Sequence, residues 1–402
     1  MSKKQSLLAL AGFVAMAGLA CIAIFVSEWT VDSPSGPSSQ PSDQATYLTF
    51  ESETRVNTFT SSTQANSDLA VTNDGHSFVV WDSRRQQAGT YGVYLQKFDA
   101  SGQRIGSETR VNLYQQSMQV NPCIACDGNG GYWIAWESFG QDGSMNAIIA
   151  RRFDAAGIGG DEILVNQHTQ GQQANVVVTV DGDGNATFAW TTPIADQHSR
   201  RIVARTFDSS GKPLTDELPI HESLGSQQLP SLAIRANDDR QQLILVWSET
   251  DDDNHPAGVF AKQADSIASL HDRPAVQVSP MDNQAHIEAV VTATDHGFVV
   301  GWLRSTANDY QAVLQRFDED ANRVGRLTSA SPIDGRRING LALALHLNND
   351  VIAAWNRSTD GAIGRQSIVE ARQFTLPESA DRPLQPVGEF FQVNRNLSLI
   401  HI

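Results

Sequence analysis

Asp181, Asp183 and Asn185 stand at alternate positions in the stretch DGDGN, so carboxylate and amide oxygens recur as they do in a Ca2+-binding loop. Such a set would suit a hard cation. The glycine expected next in that motif and a clear distal bidentate glutamate are both missing. Gly, Asp and Asn are also the ordinary residues of a tight hairpin turn, and the turn is the preferred reading, with Ca2+ the one cofactor the chain suggests.

A second candidate is SETDDDNHP, Ser248 to Pro256, where Asp251, Asp252 and Asp253 run together beside His255. Consecutive carboxylates there could hold a cation or meet a basic partner, although acids at a loop tip are commonly only solvated. Arg84 and Arg85 earlier in the chain, and His198, Arg200 and Arg201 after them, fall on equivalent loops, and Tyr310 adds an aromatic. Arg and Tyr are residues that recognition surfaces favour. Cys123 and Cys126 invite a redox or metal reading, but three residues apart on a strand their Cα atoms would be about 10 Å apart, too far for a disulfide. Cys126 aligns with Val71, Val180 and Ile234, which makes it a small core residue. No G-x-S-x-G elbow, H-E-x-x-H helix, phosphate loop or dinucleotide fingerprint occurs.

The elements that must position these residues repeat. Trp81, Trp136, Trp190, Trp247, Trp302 and Trp355 each close an apolar run, and the phrases FDASG at Phe98, FDAAG at Phe153 and FDSSG at Phe207 recur in step with them. In the second unit the strands are expected at Pro122–Cys126, Tyr132–Glu137, Ala147–Phe153 and Glu162–Asn166, short apolar or alternating runs separated by Gly and Asp. Four-stranded units repeated at roughly 40–55 residues indicate a β-propeller, because each blade covers its apolar faces with its neighbours. The expected fold is all-β: a six-bladed β-propeller of four-stranded blades over residues 47–396, preceded by one N-terminal transmembrane helix. FDASG is then a strand end followed by a hairpin, with Asp accepting backbone N–H bonds and Gly supplying positive φ. The tryptophans are wedges between blades. One count is awkward, since a VN strand ends at Asn57 before the first unit and another at Asn394 after the last. Either one closes the ring and the other is an edge strand, or both share the last blade.

FDASGQRIGSETRVN, QVNPCIACDGNGGYWIAWES and YGVYLQKFDASG together resemble the tandem repeats of large exported bacterial proteins. The resemblance covers about Glu53 to Asn394 and implies an exported, propeller-like module, with no catalytic residue to carry across. The sialidase Asp box does not occur, the fourth unit has KQAD at Lys262 to Asp265 in place of FD, and the sixth has Phe374 followed by Thr375.

Lys3 and Lys4 precede Leu7 to Val26, a run without a polar side chain. A helix of about 20 such residues at roughly 1.5 Å each spans about 30 Å of hydrocarbon. The expectation is a single-pass anchor at 7–26 with residues 1–6 in the cytoplasm, a Pro/Ser-rich linker at 27–46, an exported propeller and a short tail at 397–402. Lipidation at Cys21 is the lesser alternative. With 45 acidic against 29 basic residues and a net charge of −16, nucleic acid is not an expected partner. The expected function is a membrane-tethered binding or scaffolding module for a protein or glycan ligand of the cell envelope. The alternative, a glycan-acting hydrolase or lyase, would need two carboxylates, or a base and an arginine, converging on one mouth of the ring.

Overall fold

The computed structural model describes residues 54–393 apart from 87–89, 195–198, 224, 238–239, 308, 335, 347–348, 362–363 and 378–381, together with the backbone of Leu8–Ala9, Ile22–Trp29 and Tyr47–Arg55. The chain forms six four-stranded antiparallel sheets, each a simple meander of strands consecutive in sequence. The first blade comprises Gln64–Val71, Ser77–Arg84, Tyr91–Phe98 and Arg104–Arg110. The second comprises Gln119–Cys126, Tyr132–Phe139, Asn146–Phe153 and Gly159–Leu164. Four further blades follow, and from the first to the sixth the opening strand of each blade packs on that of the next, so these strands form the inner wall of the propeller.

Second strands carry the core. Ser77–Arg84 is buried up to its last residue, and Ala186–Pro193 is buried throughout, as expected of strands sandwiched on both faces. Trp81, Trp136, Trp190, Trp247, Trp302 and Trp355 are all fully buried. Trp136 packs with Val80, Val93 and Leu95 of the preceding blade, and Trp190 with Trp133, Ala135 and Ile148. They are wedges between blades.

The repeated FDxxG phrase does what its residues require. In the first blade Phe98 is fully buried, and Asp99 Oδ1 accepts the N–H groups of Ser101 and Gln103, both at 2.9 Å, around Gly102 at φ 77°. Asp208 repeats this with Ser210 and Lys212. Where the fourth unit reads KQAD, the hairpin gives way to a helix at Ile267–Asp272, capped by Ser266 Oγ accepting from Ser269 N–H. Ile267 and Leu270 bury the inner face of that helix against the core between the third and fourth blades.

The expected N-terminal transmembrane helix is not shown. Residues 7 and 10–21 lie outside those described, and Ile22–Trp29 is a strand antiparallel to Tyr47–Arg55 in a separate three-stranded sheet. Among the described residues no helix is long and apolar enough to cross a membrane.

Candidate functional site: a bulged ring at one mouth

Every first strand carries a β-bulge at the same depth, and the residue there has positive φ: Asn66 at 49°, Asn121 at 53°, Asn175 at 56°, Leu229 at 49°, Glu288 at 54° and Gly340 at 80°. A left-handed residue turns its N–H out of its own ladder, and a buried N–H needs an acceptor. At three of these bulges the neighbouring blade supplies one. Asn121 N–H donates to Asp82 Oδ2 at 3.1 Å, Asn175 N–H to Glu137 Oε1 at 2.9 Å and Gly340 N–H to Glu288 Oε2 at 3.1 Å. A residue further along, Ile124 N–H reaches Asp68 Oδ2 at 2.9 Å in the same manner.

The asparagine side chains close these units. Asn66 Nδ2 donates to Asp82 Oδ2 at 2.7 Å and Asn121 Nδ2 to Glu137 Oε1 at 3.0 Å, so Asn121 bridges two buried carboxylates. Asp82 is fully buried, and burial, opposed by its bonds to Asn66 and Asn121, raises its carboxyl to about 6. Glu137 and Glu288 are raised for the same first reason. Asp82 Oδ1 has no hydrogen-bond partner. Glu137 is more completely occupied, since Asn146 Nδ2 also donates to its Oε2 at 2.8 Å. The arrangement stitches adjacent blades together and leaves a buried acceptor on Asp82 unused.

The loops between second and third strands rise on the same side of the ring as these bulges, because Gln64 and Ala65 pair with Ser83 and Asp82 just before the chain leaves the second strand. Arg84 and Arg85 are exposed there, and the Arg84 guanidinium lies 5.9 Å from the Tyr91 ring. Arg201 pairs with Thr192 and is half-buried, with Nε unpartnered. Arg200 is structural: its guanidinium donates to the Gln172 carbonyl at 2.6 Å and to Thr191 Oγ1 at 3.1 Å. His198 lies outside the described residues. Tyr310 turns inward, against the core between the fifth and sixth blades. These residues share a mouth but sit on separate blades.

The two oxygen-rich stretches are turns. Asp181 Oδ1 accepts the N–H groups of Asp183 at 2.9 Å and Asn185 at 2.8 Å, while its Oδ2 takes Asn185 Nδ2 at 2.9 Å. Asp251 Oδ1 likewise accepts from Asp253 N–H at 3.0 Å and His255 N–H at 2.8 Å, with Asn254 at φ 63°. Asp251 and Asn254 therefore do what Asp99 and Gly102 do. Asp252 and Asp253 remain exposed. Among the described residues no group of three His, Cys, Asp or Glu is placed to hold a metal ion. Cys123 and Cys126 are free thiols on opposite faces of the second blade, each packed in a different core cluster, and burial pushes Cys126 up to about 12.

Sequence reasoning missed the bulged ring. Its trace was present as Gln64-x-Asn66, Gln119-x-Asn121 and Gln173-x-Asn175, each at a constant distance before a Trp followed by Asp, Glu or Thr. It also missed an apolar group on the second blade at this mouth: Met118, Phe139 and Met145 are 39%, 38% and 49% exposed. Their backbones are adjacent, with Phe139 N–H on the Met118 carbonyl at 2.9 Å and Gly140 N–H on that of Met145 at 2.6 Å.

No protein-family model matches the chain, and no curated protein does. Solved structures do. A protein of unknown function from Dyadobacter fermentans is 7% identical with a TM-score of 0.52, over 77% of this chain and 93% of that one. The β-propeller domain of the Trilobed protease from Pyrococcus furiosus is 9% identical with a TM-score of 0.41, over 81% and 94%. An endo-arabinase from Bacteroides thetaiotaomicron is 12% identical with a TM-score of 0.36, over 64% and 91%. At these identities the likeness concerns the fold alone.

Proposed function

We propose that the protein is an exported β-propeller whose bulged mouth is a recognition surface, making it a binding or scaffolding module for a protein of the cell envelope. The observation that carries this reading is the exposed group Met118, Phe139 and Met145 at that mouth. Contiguous exposed apolar side chains on a rim that also presents Arg84, Arg85, Asp252 and Asp253 have the composition of a contact surface. The buried carboxylates nearby accept backbone amides, a structural task that occupies the groups an enzyme would need. The apolar run behind Lys3 and Lys4 supports export. The test is cross-linked affinity purification of the full-length protein from its native envelope, beside a Phe139→Asp, Met145→Asp double variant and an Asp252→Ala, Asp253→Ala variant. One partner in near-stoichiometric amount, lost from the apolar variant, supports the reading. Recovery of that partner unchanged by both variants would remove this mouth as the contact.

The second reading is a glycan-acting enzyme, and Asp82 is the observation in its favour: a carboxyl at about 6 with one oxygen unused, tied through Asn121 to Glu137. Release of reducing sugar from a polysaccharide panel that disappears in Asp82→Asn would support it, and an unaltered rate in that variant would end it.

A further inference from the structure

Each boundary from the first blade to the sixth is sealed by one local device. After the fourth strand, an apolar residue returns its N–H to the third strand, and a polar side chain accepts an N–H from that strand. Val111 N–H donates to the Val93 carbonyl at 2.8 Å while Asn112 Oδ1 accepts Val93 N–H at 2.9 Å. Val165 and Asn166 do the same to Ile148, and Val278 with Ser279 to Val259. The sixth blade ends likewise, with Val393 N–H on the Val369 carbonyl at 2.8 Å.

A further copy of the device stands before the first blade with no blade behind it. Val56 is fully buried against Val79 and Trp81, as Val111 is against Trp136. Asn57 Nδ2 donates to the Phe59 carbonyl at 2.8 Å, as Asn112 does to Tyr114. Yet Asn57 Oδ1 is buried and has no partner. The third strand of the sixth blade does not serve it: Val393 is seated on Val369 there, and no donor among the described residues reaches Asn57 Oδ1. Nor does the first strand of the sixth blade, Ile338–Leu345, pack on that of the first blade as the other neighbours do. Ile352 and Ala354, on the face of the sixth blade turned toward this boundary, are nevertheless 2% and 0% exposed.

From this we infer that the ring has a seventh position, an incomplete blade, and that the segment filling it is the chain's own Ile22–Trp29. That segment pairs with Tyr47–Arg55, and Ile22 opposes Arg55 just as Tyr94 opposes Arg110 in the first blade. Tyr47–Arg55 is thus the fourth strand of the incomplete blade, Ile22–Trp29 its third, and Leu8–Ala9 its second, with no inner strand among the described residues. The export segment therefore ends inside the ring, and Ile22–Val26 is unavailable to a bilayer. This inference is independent of what the mouth binds.

A disulfide across the paired positions tests it. Full-length protein carrying Cys21→Ser, Ala23→Cys and Thr54→Cys is oxidised mildly in the native envelope, beside a control in which Ser52 instead of Thr54 is changed to Cys. Ala23 and Thr54 are Cα partners, so a rapid intramolecular disulfide in the first protein and little in the second is the expected result. No disulfide in a chain released only by detergent would overturn the inference in favour of a membrane span. A disulfide-linked dimer would overturn it in favour of a second copy's strand. A chain that is water-soluble and stays reduced would show that other residues fill the seam.

Discussion

The backbone N–H of Asn121 donates to the carboxylate of Asp82 at 3.1 Å across the boundary between the first and second blades. The bond exists because a positive-φ bulge turns that N–H away from its own strand, and it fixes how the two blades are set against each other. Removing the acceptor leaves a buried donor unpaired, so Asp82→Ala is expected to destabilise the fold by about 2–4 kcal/mol, measurable by urea denaturation.

Asp82 also sets a pH dependence. Its carboxyl titrates near 6 in the fold against about 3.9 when unfolded, so between those values the folded state holds the extra proton. Stability from this group is therefore greatest below about pH 4 and is lost as pH rises through 6. Comparing wild type with Asp82→Asn between pH 4 and 6.5, the difference in unfolding free energy should shift toward the variant by about 2–3 kcal/mol. A pH-independent difference would place the titrating group elsewhere.

The wedge tryptophans are not equivalent. Trp136 Nε1 donates to Gln119 Oε1 at 2.8 Å, whereas Trp81 Nε1 is buried without a partner. Trp136→Phe loses a hydrogen bond as well as volume, and Trp81→Phe removes an unsatisfied donor. The first change should cost about 1 kcal/mol more than the second, read from paired thermal or chemical unfolding curves.

Ala321 occupies the glycine position of the hairpin in the fifth blade, at φ 63°, where Asp318 Oδ1 accepts from Asp320 and Asn322. Relief of left-handed strain should make Ala321→Gly stabilising by up to about 1 kcal/mol, while Gly102→Ala in the first blade should destabilise by about 1 kcal/mol or more.

The acidic loop separates into one structural residue and two free ones. Asp251→Ala removes the acceptor for two backbone amides and should lower stability by about 1 kcal/mol. Asp252→Ala and Asp253→Ala should fall within about 0.5 kcal/mol of wild type.

The blades were legible because their signals are local: a buried Trp at the end of one strand, and Phe-Asp at the end of the next with Gly after it. The bulges were not, because a left-handed Asn121 becomes necessary only once the carboxylate of a neighbouring blade is in place to receive its N–H. By the fourth, fifth and sixth blades the position holds Leu229, Glu288 and Gly340, which share a backbone conformation and no side-chain chemistry. The helix at Ile267–Asp272 was foreshadowed only as a broken FD phrase. Among the candidate site residues, Asp181 was legible as a turn residue and Asp251 could have been recognised as one by direct comparison with Asp99, whereas the inward packing of Tyr310 depends on the neighbouring blade and leaves no mark in its own segment.

Because each complete blade is a meander of consecutive strands, nearly all of its backbone pairing lies within a few dozen residues of chain. Such a molecule can acquire its sheets in the order in which it emerges from a translocation pore, each new blade docking on the wedge of the one before. Only the face of the sixth blade that carries Ile352 and Ala354 must wait for the C-terminal part of the chain to meet its N-terminal neighbour. Assembly is then vectorial for most of its course and ends in a single long-range step, where the sixth blade meets the incomplete one.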